Sequence, residues 1–146
     1  MIEAEGLDVR VWPGPVFALT GEGLEGNYLA EEVRIAGSRF EDVGGPLIAY
    51  GREGRDESTF GPRFVLTDSE LRRVGRGGAA LELSGIDGLM LTDNRLRGSG
   101  DVVVRRRVLG LPFEASGNRA SRTTALRATG VKDEPMDLTL TGGTDR

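Results

Sequence analysis

The acid–base chemistry open to this 146-residue chain is narrow. It has no histidine and no cysteine, which removes Ser-His-Asp triads, HExxH zinc sites, thiolate nucleophiles and disulfides together. Lys132 is the only lysine, so eighteen of the nineteen basic residues are arginine. Arginine is a poor proton acceptor but a good carboxylate ligand through its planar fork. Polar work in this chain therefore points to anion binding rather than lysine-base catalysis. One carboxylate pair invites a hydrolase reading. Asp68 and Asp93 sit in matching contexts, Thr-Asp-Ser and Thr-Asp-Asn. Stacked at a strand spacing of roughly 4.8 Å, two such groups would push one pKa upward, as acid/base pairs do. A turn built on each aspartate accounts for both without chemistry.

Two arginine clusters stand out. The first lies in Tyr50-Gly-Arg-Glu-Gly-Arg-Asp-Glu-Ser-Thr-Phe-Gly-Pro62, with Arg63 following. On one reading Asp56 and Ser58 close an Asx-type turn and Arg52, Arg55 and Arg63 pair with the nearby acids. On the other the loop presents those arginines to a polyanionic sugar, or Asp56 and Glu57 hold a calcium ion. The second cluster is Arg105-Arg106-Arg107, after Val102-Val-Val104. Strand alternation sends Arg105 and Arg107 to one face and Arg106 to the other. That face is either a bidentate clamp for sugar carboxylates or a solvated surface beside Glu82 or Asp101. Tyr50, next to the first cluster, is the aromatic best placed to stack on a sugar ring.

The elements that must carry these residues emerge when the chain is laid against itself. Arg34–Gly44, Val65–Gly75 and Met90–Gly100 align without gaps, and a weaker copy spans Phe113–Arg119. Ile35, Leu66 and Leu91 form one inward column; Phe40, Leu71 and Leu96 form a second. The offsets are 66 − 35 = 31, 91 − 66 = 25 and, from Asn94 to Asn118, 24. A period near 24 or 25 with one insertion of about six residues suggests a solenoid. Short alternating runs such as Phe64/Leu66 and Leu81/Leu83 read as half-buried strand, punctuated by glycine turns. No sustained stripe of 3.6-residue period competes with them. The fold class predicted is all-β, a parallel β-helix of about four coils over 1–131, with an inserted loop at 50–63. Residues 1–28 read as an incomplete first coil or cap, and 132–146 as a frayed tail. The column Ser38, Ser69, Asn94 and Asn118 falls where stacked polar side chains can satisfy turn backbone from coil to coil.

Composition closes other routes. Glycine is abundant at 23 residues and apolar residues make up 38%, a globular, turn-rich profile. A net charge of −4 argues against a nucleic-acid binder working through bulk charge. No stretch approaches the roughly 18 apolar residues of a membrane helix, and the first residues do not read as a signal peptide.

Asp56-Glu-Ser-Thr-Phe-Gly-Pro62, with Tyr50 before it, resembles a signature of the alginate lyase and chondroitinase B family of polysaccharide lyases. The lead-in Arg10-Val-Trp-Pro13, Phe17–Gly23 and Asn27–Ile35 is similar, as is the exit Phe64–Leu71. The resemblance implies a right-handed parallel β-helix and β-elimination on uronic-acid polysaccharides. In the family calcium neutralises the sugar carboxylate, a lysine takes the C5 proton and an arginine assists the leaving oxygen. Those residues have no counterpart here, and the chain resembles the second, C-terminal β-helix of two-domain members. No catalytic residue or metal ligand carries over, and calcium is expected only with the family's catalytic domain. The resemblance thus implies a non-catalytic module, a support for a catalytic β-helix or a self-associating unit. It would hold acidic polysaccharide through Tyr50, Arg52, Arg55, Asp56, Glu57, Arg63, Arg105 and Arg107. The alternative is an active polyuronate lyase, alone or with a partner chain. Family members are typically exported.

Overall fold

The computed structural model describes residues 2–20, 32–51, 63–86, 88–106, 113–121 and 124–129. Fifteen strands, numbered in chain order, fall into three sheets of five. The first sheet holds β1 (Ile2–Glu5), β4 (Glu32–Ala36), β7 (Arg63–Thr67), β10 (Gly88–Thr92) and β13 (Phe113–Ser116). The second holds β2 (Asp8–Trp12), β5 (Arg39–Val43), β8 (Glu70–Val74), β11 (Arg95–Arg97) and β14 (Arg119–Ala120). The third holds β3 (Phe17–Thr20), β6 (Ile48–Gly51), β9 (Ala79–Ile86), β12 (Asp101–Arg106) and β15 (Leu126–Thr129). Every pairing is parallel and links each strand to the one three places on. This all-β arrangement is consistent with a parallel β-helix.

Period-two alternation explains why these short runs become strands. One set of side chains is buried inside, and the other faces out. Val33, Phe64 and Leu89 stack in register, as do Ile35, Leu66 and Leu91. Phe40, Leu71 and Leu96 stack in the second sheet, and Ile48, Leu81 and Val102 in the third. All of these are buried. Each such side chain contributes about 1.5–3 kcal/mol, so the stacked columns dominate the stability of the fold.

Two features depart from the sequence reading. The N-terminal segment supplies a strand to every sheet, β1, β2 and β3, rather than an incomplete coil or cap. Register offsets are also 31 twice, from Ile2 to Val33 and from Val33 to Phe64, before shortening to 25 and 24. Two periods are therefore lengthened, not one. The first is unmarked in the sequence because Leu7 stands where the later copies have Ser or Asn, leaving no polar residue to align.

Two turn columns hold the corners. Gly6, Gly37, Asp68, Asp93 and Gly117 all have positive φ, between the first and second sheets. Asp68 and Asp93 are thus turn residues, small polar side chains that tolerate the left-handed conformation. At the next corner Gly100 lies against the preceding turn. A Cβ there would collide with the carbonyl oxygens of Gly75 and Gly78. Glycine is required because the neighbouring backbone occupies the space a side chain would need.

Candidate functional site

The frame on which any site rests is a ladder of buried polar side chains. The Leu7 N–H donates to Ser38 Oγ at 3.0 Å, and the Ser38 N–H to Ser69 Oγ at 3.1 Å. The Ser69 N–H donates to Asn94 Oδ1, and the Asn94 N–H to Asn118 Oδ1, both at 3.0 Å. Asn94 Nδ2 donates to the Leu66 carbonyl at 2.8 Å, and Asn118 Nδ2 to the Leu91 carbonyl at 2.8 Å. The column predicted from sequence is therefore structural, each side chain satisfying the turn above it. A second, shorter ladder was not anticipated. Ser99 Oγ accepts from the Val74 N–H, and Ser121 Oγ from the Gly98 N–H.

The predicted ligand residues do not converge among the described residues. Tyr50 is 4% exposed and packs its ring 5.5 Å from that of Phe64. It is a core residue, and burial withholds its face from any sugar. Its place was legible, since alternation from Ile48 puts it on the inward face. Arg63, in the first sheet, lies 3.9 Å from Glu32. Arg105 is exposed on the third sheet, in register with Ser84. A register shift between Arg105 and Arg106, next to Gly85 with its positive φ, interrupts the alternation assumed for the triplet. Asp101, one proposed neighbour of the triplet, is engaged by Arg127 at 2.9 Å. Arg52, Arg55, Asp56, Glu57 and Arg107 lie outside the described residues.

Among the described residues, two grooves lie between turns. One, of about 390 Å³, runs past Ser38, Arg39, Asp68, Glu70, Asp93 and Arg95. Three carboxylates and two guanidinium groups leave it mildly acidic. The other, of about 730 Å³, lies between the turns at Arg76–Ala79 and Gly98–Asp101 and reaches Val103 and Arg127. Its floor is glycine backbone, which leaves the width for a ligand. Asp101 Oδ1 accepts from the Ala125 N–H at 3.1 Å while Oδ2 holds Arg127, so one carboxylate fixes both a turn and a guanidinium. Arg76 has no carboxylate within 4 Å among the described residues. The groove presents two exposed arginines against one engaged aspartate. With Arg127 paired to Asp101, the groove carries the net positive charge of Arg76.

Compared with known protein families, curated proteins and solved structures, the chain matches none. Among the described residues no group of three or more His, Cys, Asp or Glu side chains is placed to hold a metal ion. No helix there is long and apolar enough to cross a membrane.

Among the described residues, the strongest local electrostatics lie beside the same corner. Arg73 forks onto Asp42, with Nη2 at 2.9 Å from Oδ2, and reaches Glu41 Oε1 at 2.8 Å. The hydrogen bond from Arg73, with Coulombic help from Arg73, Arg72 and Arg76, holds the Asp42 carboxyl below its ordinary value. Arg73 is correspondingly raised, chiefly by the Asp42 hydrogen bond. A depressed carboxylate pKa adds stability above the unfolded value, about 3.9, and loses it as pH falls through the folded value. Arg73→Gln is therefore expected to melt below wild type at neutral pH, with the gap closing on acidification below about pH 4. Thermal melts of both proteins across that range check this. A gap that persists in acid would show that Arg73 acts through packing alone.

Proposed function

We propose that this chain is a non-catalytic β-helical module that binds acidic polysaccharide. The observation that carries the reading is the glycine-floored groove with Arg76 and Arg127 exposed at its rim. Guanidinium forks match carboxylates bidentately, and a polymer carrying one carboxylate per sugar offers a partner to each of Arg76 and Arg127. The resemblance of Asp56–Pro62 to polysaccharide lyases supplies the ligand class, a uronate polymer, and the role of accessory to a catalytic β-helix. On the same resemblance the solenoid is taken as right-handed. Absence of histidine, and a lone lysine at position 132, favour binding over elimination.

Calorimetric titration with alginate oligosaccharides tests the reading. Affinity is expected to fall steeply as salt rises, because exposed charge pairs are screened. Arg76→Ala should weaken binding by about tenfold, the usual size of one charge-assisted contact. No binding at low salt, or binding indifferent to both salt and Arg76→Ala, would overturn the proposal. Absorbance from unsaturated uronate in the same mixtures would reveal a lyase instead.

A further inference from the structure

Among the described residues, the N-terminal end of the solenoid carries no cover over its core. β1, β2 and β3 are the end strands of their three sheets, so among the described residues one backbone edge of each carries no strand. Ile2, Val9 and Phe17 are only partly buried, whereas their register partners Val33, Phe40 and Ile48 are fully inside. Val11 and Trp12 are the exposed large apolar side chains of the described residues, at 77% and 50%. Strand edges and apolar surface of this kind invite pairing.

The charges on this edge say with what. Asp8 and Arg10 lie on the outer face of β2 and fork onto each other, at 3.2 Å for both contacts. They are opposite in sign and symmetric about Val9. A two-fold axis through Val9, with two β2 edges antiparallel, sets Asp8 of each copy across from Arg10 of the other. The same operation brings Val9 against Val9 and extends both cores into one. The edge is thus complementary to itself, which is the requirement of an isologous dimer.

We infer that the N-terminal edge is a dimerisation surface for a second copy of this chain, paired antiparallel through β2. The pairing closes on itself. A head-to-tail arrangement would instead grow open-ended.

Analytical ultracentrifugation of the full 146-residue chain tests this. A concentration-dependent dimer is expected. Dissociation should shift the emission of Trp12, the sole tryptophan, to the red on dilution. Arg10→Asp and Asp8→Arg should each be monomeric at concentrations where wild type is dimeric, since each sets like charges face to face. Mixing the two variants should restore a dimer, because positions 8 and 10 then meet with opposite signs. The exchanged double variant should also dimerise. Both side chains are exposed, so melting of the monomer serves as the control for folding. A wild-type monomer, open-ended polymers, or single variants that dimerise as well as wild type would each overturn the inference.

Discussion

Asn94→Leu is expected to be among the most damaging single changes to this protein. Asn94 is 2% exposed and makes three contacts with its side chain, to the Ser69 N–H, the Leu66 carbonyl and Asn118 Oδ1. Leucine has the same branched shape and side-chain heavy-atom count and is somewhat larger, so the loss is not a cavity. It orphans a buried donor and a buried acceptor, each at about 1–3 kcal/mol. Against a total of about 5–15 kcal/mol for a domain, that is a large fraction. Chemical denaturation would read it directly, and a midpoint within error of wild type would contradict the ladder. Asn94→Asp separates shape from hydrogen bonding. Its second oxygen would face the Leu66 carbonyl and Asn118 Oδ1, both acceptors, so burial and lone-pair repulsion raise its pKa. The folded state then binds the proton more tightly than the unfolded one. The variant should be closest to wild type in acid and weaken as pH rises above the unfolded value of about 3.9. The opposite slope would mean that the carboxylate finds a donor in the core.

Gly100→Ala is the second severe change, and its cause is steric. The φ of Gly100 is not in the left-handed region, so alanine suffers no backbone penalty there. The Cβ, however, would overlap two carbonyl oxygens of the neighbouring turn and approach the Gly78 carbonyl carbon at 2.9 Å. Those atoms belong to backbone that cannot swing aside as a side chain would. Overpacking of this kind costs about 1–3 kcal/mol, and more where the obstacle is rigid. Gly78→Ala provides the contrast, since its nearest atom, the Gly75 oxygen, lies 3.9 Å away. Gly100→Ala is expected to melt well below wild type while Gly78→Ala stays close to it. Equal melting temperatures would mean that the stacked turns can separate freely.

How much of this was legible in the sequence depends on whether a residue's type announces its environment. Ile35, Leu66 and Leu91 were readable as a column because an inward position in a parallel stack tolerates little besides large apolar groups. Ser38, Ser69, Asn94 and Asn118 were readable because few side chains can both accept from one turn and donate within it. The N-terminal rung was obscured because Leu7, Val11 and Trp12 break those patterns at the end of the stack. Tyr50 misled because a hydroxyl suggested a surface role, while its alternation with Ile48 argued for the core. Arg76 sits inside a Gly-rich turn that reads only as a turn. Its meaning depends on Gly98–Asp101 lying across from it, which no local pattern encodes. The groove was legible only in three dimensions.

The outer face of the second sheet carries one more consequence. Down one column run Asp8, Arg39 and Glu70; two residues along run Arg10, Glu41 and Arg72. The smallest slip that keeps apolar side chains inside is two residues. Applied to β2 and β5, it sets Asp8 against Glu41 or Arg10 against Arg39. Applied to β5 and β8, it sets Arg39 against Arg72 or Glu41 against Glu70. Every one is a like-charge encounter, so an assembling chain is repelled from the misaligned neighbour that its apolar pattern alone would accept. Between β8 and β11 the partners are Glu70 with Arg95 and Arg72 with Arg97, and a slip is no longer refused on both sides. There the amide of Asn94, whose oxygen accepts from the Ser69 N–H of the neighbouring turn, takes over as the proofreader of alignment.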